Sequence, residues 1–598
     1  MKICILTTFF VVIIISVISH SRSERICKRP ITKHLRHAVL SSTVSKRSYT
    51  ETGLRFEVVY SQNVISWSRF HSFKMSVMDA ATGFWEKSLS VKEPSGKNSL
   101  IKRNCLYDVG YVNAENDAVH CNRCLKEVTC GNYSIPAKYL TGCYEIHYGS
   151  EDVRIYEKGE GIQPNKFLLF VDRMSDEMCQ DSTAAYTIVC ELHEETERPI
   201  AAYINFCPQY LDEKEEFDEE TVVTAVHELG HALGFSSELF PYFRDEYGNP
   251  RTKRHPKTID RYFHTWAVLQ VVDTLILPTV LHEARIHYNC PHLDGVDLEN
   301  EGGEGTSGTH FEKRLVGNEV MSGSTSRSLR VSRLTLAFFK DTGWYDVDLN
   351  ATKNWEYGKN LGCDFVMKSC YEYMERNRYG KSLKPYCNEI GVRRCTDIKT
   401  NGICYIVKHR NILPREFQYL TRDATYGEDP RYYSGKPGLY DYCPLYTEVD
   451  NFLGNPITAS CEDEENNQRM TTNYYLQDFG QQSICLEHGD PWTINYKYTS
   501  NQIRATCHRY VCKYKGTLFL DFHGEEIRCP WKGGGTEVKI AGWDGIQCKV
   551  LSFVHLLLLY ALNGLMEHNN MRRRRTILQI QMETELRNRV TLNLSQMT

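Results

Sequence analysis

The sequence predicts an α+β fold: a twisted sheet and one long amphipathic helix, then an insertion, then a disulfide-rich C-terminal domain. Three observations predict it. Runs at 55–60, 165–172 and 201–205 are apolar and β-branched enough for strands, with helical periodicity between them at 77–89. The stretch 221–235, TVVTAVHELGHALGF, places Val222, Val223, Val226, Leu229 and Leu233 on one helical stripe. Finally, 12 of the 23 cysteines lie in 360–548, a segment with few long apolar periods, as in a loop-rich domain held by up to six disulfides.

In chain order, Lys2 precedes an apolar run at 3–18 and small or polar residues at 19–23, which reads as a secretory signal over 1–22. Residues 23–50 are basic and polar and read as a pro-segment, with Lys46-Arg47 offering a processing site. The strands and helix of 51–235 form a first subdomain. Within it Cys121 and Cys124 make a CxxC, read as part of a disulfide framework because cysteines are dense around it. The acidic run 212–220 reads as a solvated face that favours the positive end of the following helix.

Residues 236–359 form a central subdomain with an insertion. There 265–277 reads as a strand, Pro278 as its break, and 279–288 as a helix. Gly303, Gly305 and Gly308 match GxGxxG, but no strand precedes them, so they read as a flexible loop. The cysteine-rich domain is 360–548. In 549–598 the mostly apolar stretch 551–566, 16 residues containing His555 and Asn563, falls short of the about 20 that a span needs, and Arg572–Arg575 follow. That segment is either a buried amphipathic helix or a short membrane anchor.

A net charge of −4, with 71 basic and 75 acidic residues interspersed, implies no broad basic face and excludes nucleic acid as a partner. Twenty-three cysteines imply an oxidising compartment, hence a secreted or cell-surface protein. Asn132 and Asn350 are then glycosylation candidates, with a further sequon at Asn593.

On the helix of 221–235, His227 and His231 stand four residues apart and project from one face. Two neutral imidazoles so placed can hold one Zn²⁺ at about 2.0–2.1 Å. Glu228 beside them can take a proton from an activated water. Asp218 suits the helix start and Gly234 its end. This is HExxH, whose chemistry is metal-assisted hydrolysis; the competing reading is the solvated edge of an ordinary amphipathic helix. A catalytic zinc needs a third protein ligand. A glutamate about twenty residues on is absent, since 249–252 read Asn, Pro, Arg and Thr. In HExxHxxGxxH the glycine fits at Gly234, but Ser237 takes the place of the last histidine. The residues alone leave the third ligand open.

HELGHALGF at 227–235, GGEGTSGTHFEKRLVGNEVMSG at 302–323, LAFFKDTGWYDVD at 336–348 and NLGCDFVMKSC at 360–370 resemble the leishmanolysin and invadolysin metallopeptidases. The resemblance implies a metzincin-like catalytic domain whose third histidine is displaced by an insertion. It assigns His310 as that ligand and Met321 as the Met-turn floor beneath one Zn²⁺ per chain. It also implies a zymogen, three catalytic subdomains and polypeptide substrates, extracellular matrix proteins among them. Of the other histidines in the gap, His282 and His287 project about 140° apart on their helix, and His292 follows Pro291 in a turn. Cys27 is either a thiolate that occupies the zinc until the pro-segment leaves or a disulfide partner; a clear form of the family's inhibitory cysteine motif is missing around it. The reading is a zinc endopeptidase. The alternative is an adhesion or matrix-binding glycoprotein on a peptidase scaffold, against which the intact Glu228 argues.

Overall fold

The computed structural model describes residues 35–44, 52–447 and 459–544 with short interruptions, the longest at 252–257, 488–492 and 529–538. Cys27, Lys46-Arg47, Asn593 and the apolar segment 551–566 lie outside the described residues. Two compact units are present. One holds residues up to 390 together with 404–446; the other holds 391–403 and the chain from 447.

The first unit is built on a five-stranded sheet. Its strands are β1 (Arg36–His37), β2 (Arg55–Tyr60), β3 (Lys166–Asp172), β4 (Ala185–Leu192) and β5 (Pro199–Phe206), in the order β1-β4-β5-β3-β2. β4 runs antiparallel to β5 and the other pairs are parallel. Every residue of β5 is buried, as its unbroken apolar run requires of a central strand covered on both faces. The strands at 55–60, 165–172 and 201–205 are therefore found within a residue or two of their expected bounds.

β1 is a strand that the basic composition of 23–50 conceals. Ala38 and Val39 behind it are buried, and Arg36 Nε lies 2.8 Å from Glu191 Oε1 of β4. That contact is an ion pair by distance without the alignment of a hydrogen bond, since both Glu191 oxygens lack an aligned donor. Burial pushes the Glu191 carboxyl up to about 7, against the pull of Arg36.

Helix α1 (Asp79–Ser88) follows a π-helical turn at Lys74–Met78 and packs on α2 (Glu219–Leu233). Trp85, fully buried, donates from Nε1 to Val226 O at 3.0 Å and so pins the two helices together. α2 lies across β4 and β5.

In the insertion, the expected strand at 265–277 is instead one arm of a hairpin, Thr258–Thr265 against Val268–Leu275. Its first arm, interrupted by Arg261 and His264, gives too weak an alternation to be read from sequence. Pro278 opens α3 (Pro278–Tyr288), where its missing N–H costs nothing, and Asn289 closes it in the left-handed region. α3 packs on α4 (Arg333–Asp341), whose buried Leu334, Phe338 and Phe339 join the sheet's core.

Nine disulfides link described residues. Cys121 and Cys124 bond to Cys105 and Cys143, as a structural framework rather than a redox pair. Cys130–Cys190 and Cys179–Cys207 fasten β4 and the end of β5. Cys363 pairs backward with Cys290, so the cysteines of 360–548 do not form a closed set. In the second unit a four-stranded antiparallel sheet, Ser483–Glu487, Ala505–Lys513, Thr517–Phe522 and Glu525–Arg528, carries the buried Cys395–Cys485 and Cys461–Cys507 bridges. Among the described residues no helix is long and apolar enough to cross a membrane.

Candidate metal centre

α2 begins where its sequence says it should. The Asp218 carboxylate accepts from Thr221 N at 3.1 Å, and Glu219 and Glu220 occupy the first turn. It ends at Gly234, whose φ of 141° is open to glycine; a Cβ there would stand 2.9 Å from Trp344 Cζ3. The bend turns Phe235 O back toward the helix, where His231 Nδ1 donates to it at 2.7 Å.

The other two histidines are fixed in the same manner. His227 Nδ1 donates to Val320 O at 2.6 Å, and His310 Nδ1 donates to Thr306 O at 2.9 Å. A carbonyl oxygen can only accept, so each Nδ1 carries a proton, and in the neutral ring each Nε2 then keeps its lone pair. The three Nε2 atoms face one another at 3.0, 3.1 and 3.3 Å. None can donate to its neighbours, and a tetrahedral Zn²⁺ with Zn–N of about 2.0–2.1 Å spaces its nitrogens about 3.3–3.4 Å apart. The observed spacing is within a few tenths of an ångström of that. The donor set therefore fits a cation, and all three rings are buried. Burial holds the His227 pKa down to about 4, which keeps the ligand form neutral at pH 7.

His310 lies 79 positions beyond His231, yet backbone pairing brings it under the helix. Gly308 N donates to Glu299 O at 2.7 Å, Glu299 N to His310 O at 3.0 Å, and Phe311 N to Met321 O at 3.0 Å. The last bond ties the third histidine to the turn that carries Met321. Met321 is fully buried beneath α2. A Cβ at Gly230 would meet its Sδ at 2.7 Å, so the second variable position of HExxH must be glycine for this methionine to seat.

Beneath the turn sits the buried carboxylate of Glu319. It accepts from Ser332 N at 3.1 Å and Ser332 Oγ at 2.8 Å on Oε1, from Thr335 Oγ1 on the same oxygen, and from Met321 N on Oε2. Glu228, 1 % exposed, receives Thr187 Oγ1 of β4 on Oε2 at 2.7 Å.

The structure thus brings together His227, Glu228, His231, His310, Met321 and Gly234. It leaves the other histidines apart. His282 and His292 are exposed, and His287 stacks on Trp355 at 3.9 Å and bonds the Tyr357 carbonyl at 2.8 Å. The side chains of His255 and His264 lie outside the described residues. Asn132 and Asn350 are both exposed. Two further groups, Cys121, Cys124, Cys143 and Cys290, His292, Cys363, have their sulfurs committed to disulfides. Thr187, Gly230 and Glu319 escape a reading of the sequence. Of these only Gly230 carries a signal there, as a glycine inside an otherwise strong helix.

The family model described as leishmanolysin, a peptidase family, matches residues 122–535. A leishmanolysin-like peptidase of Drosophila pseudoobscura pseudoobscura is 31% identical over 549 residues, covering 84% of this chain and 80% of its own length. One of Caenorhabditis elegans is 31% identical over 491 residues, covering 74% and 73%. Leishmanolysin of Leishmania tropica is 27% identical over 333 residues, covering 55% and 43%.

Proposed function

The chain belongs to the leishmanolysin family of metallopeptidases, and from that premise we propose that it is a zinc endopeptidase cleaving polypeptides outside the cell or at its surface. One observation carries the reading: three buried Nε2 lone pairs converge at 3.0–3.3 Å because every Nδ1 proton is spent on a carbonyl. Three neutral imidazoles with a carboxylate alongside are the donor set of a catalytic zinc, as opposed to a closed structural one. When bound, Zn²⁺ polarises the scissile carbonyl and lowers the pKa of water toward about 7.

The chain's own residues do the rest. His227, His231 and His310 hold the ion through Nε2, and Met321 and Gly230 pack as its floor. Glu228 takes the proton of the attacking water and passes it to the amide nitrogen as the C–N bond breaks. Its burial keeps that proton from bulk solvent. We assign the sheet, the α2 helix, the displaced histidine and the Met321 turn to a metzincin-like layout, with 23–50 as a pro-segment. The nine disulfides support an oxidising compartment.

The test is peptide cleavage by the purified protein, before and after a chelator and after Zn²⁺ is restored. Activity lost and regained, and absent in a Glu228→Gln variant that still holds zinc, is expected. Chelator-resistant cleavage, or Glu228→Gln at wild-type rate, contradicts the reading.

A further inference from the structure

Thr187 is the third residue of β4, 41 residues before the carboxylate it meets, and is fully buried. Its Oγ1 lies 2.7 Å from Glu228 Oε2 and 3.1 Å from Glu228 O. A hydroxyl has one proton to give. The contact to Oε2 is the shorter, so the proton goes to Oε2.

The hydroxyl is also aimed by rigid surroundings. Thr187 pairs with Ile204 of the fully buried β5, and Cys190, three residues on, is bonded to Cys130. As a β-branched residue it has little freedom at χ1. The bond therefore fixes the Glu228 carboxylate plane against a part of the fold that does not move with α2 alone.

From this geometry we propose that Thr187 is a positioning residue for proton transfer: its hydroxyl sets the orientation of Glu228 toward the reacting water. Its hydroxyl bonds run to Glu228, and it acts through that residue. The inference rests on the peptidase reading above.

The test compares wild type, Thr187→Val, Thr187→Ser and Glu228→Gln, all zinc-loaded, on one peptide. Valine keeps the shape and removes the proton donor. Loss of a partner that orients a catalytic group costs about 10–100-fold. Thr187→Val should lower kcat by about that factor, with KM and bound zinc within twofold of wild type. Thr187→Ser, which restores the donor with looser aim, should recover most of the loss. A Thr187→Val kcat within twofold of wild type overturns the proposal. So does a loss that appears in KM or in zinc content instead of kcat, or one that serine does not repair, since each is what a purely structural role gives. If wild type cleaves and Glu228→Gln does not, those outcomes remove Thr187 alone. If zinc-loaded wild type does not cleave, the peptidase reading itself falls and takes this inference with it.

Discussion

Glu319→Gln tests how the floor of the centre is held. The glutamate carboxylate receives four donors, three on Oε1 and Met321 N on Oε2. Burial raises its pKa, and the bonds from Thr335, Met321 and Ser332 oppose that rise. A glutamine of the same shape can keep an acceptor toward Ser332 and Thr335. Its amide NH₂ then faces the Met321 N–H, donor against donor, inside a site closed to water. Leaving a buried donor unsatisfied costs about 1–3 kcal/mol, and here two groups are left so, which gives about 2–6 kcal/mol.

The damage has a defined route to the metal. Val320, between Glu319 and Met321, supplies the carbonyl that fixes His227 Nδ1 at 2.6 Å. Disturbing such a partner typically weakens metal binding about 10–100-fold. The assay is a thermal melt of metal-free and zinc-loaded protein together with a zinc competition titration. Glu319→Gln should melt lower in both states and bind zinc about tenfold or more weakly. A variant with the melting temperature and zinc affinity of wild type refutes the argument that this carboxylate supports the turn.

Two further outcomes follow from buried groups. Burial, aided by Arg198, depresses the His193 pKa to about 4, and Nδ1 accepts from the backbone of Glu195 and Thr196. Its folded pKa lies below the unfolded value of about 6.5, so its contribution is complete above pH 6.5 and is lost as pH falls through about 4. The loss amounts to about 3 kcal/mol, and denaturation of His193→Gln across that window should show a stability profile flatter by about that much. Gly234→Ala should cost about 2 kcal/mol or more, from the 141° φ and the approach to Trp344, and a melt within experimental error of wild type would contradict it.

How far the fold could be read from the sequence follows the range of the forces involved. α2 was legible because its cap at Asp218, its apolar stripe and its terminal Gly234 all lie within seventeen consecutive residues. β5 was legible because a central strand needs a continuous apolar run. β1 was not: two residues paired at a sheet edge carry no periodicity, and the basic side chains around them read as a pro-segment. His310 stands where the Glu299 and Met321 backbones hold it, and only resemblance to a family singled it out from the other histidines of the insertion. Thr187 and Glu319 act on groups brought near by the tertiary fold, or by a turn whose partner is a distant helix, so nothing in their neighbourhood announces them.

The central claim is that His227, His231 and His310 hold one catalytic zinc, and metal content tests it most directly. Wild type, His310→Ala, His282→Ala, His287→Ala and His292→Ala are loaded with Zn²⁺, dialysed mildly and assayed for zinc per chain. The account predicts about one zinc per chain in wild type and in the variants at 282, 287 and 292, and zinc near zero in His310→Ala with the fold retained. Full zinc in His310→Ala, or loss of zinc in any of the other three, would contradict it.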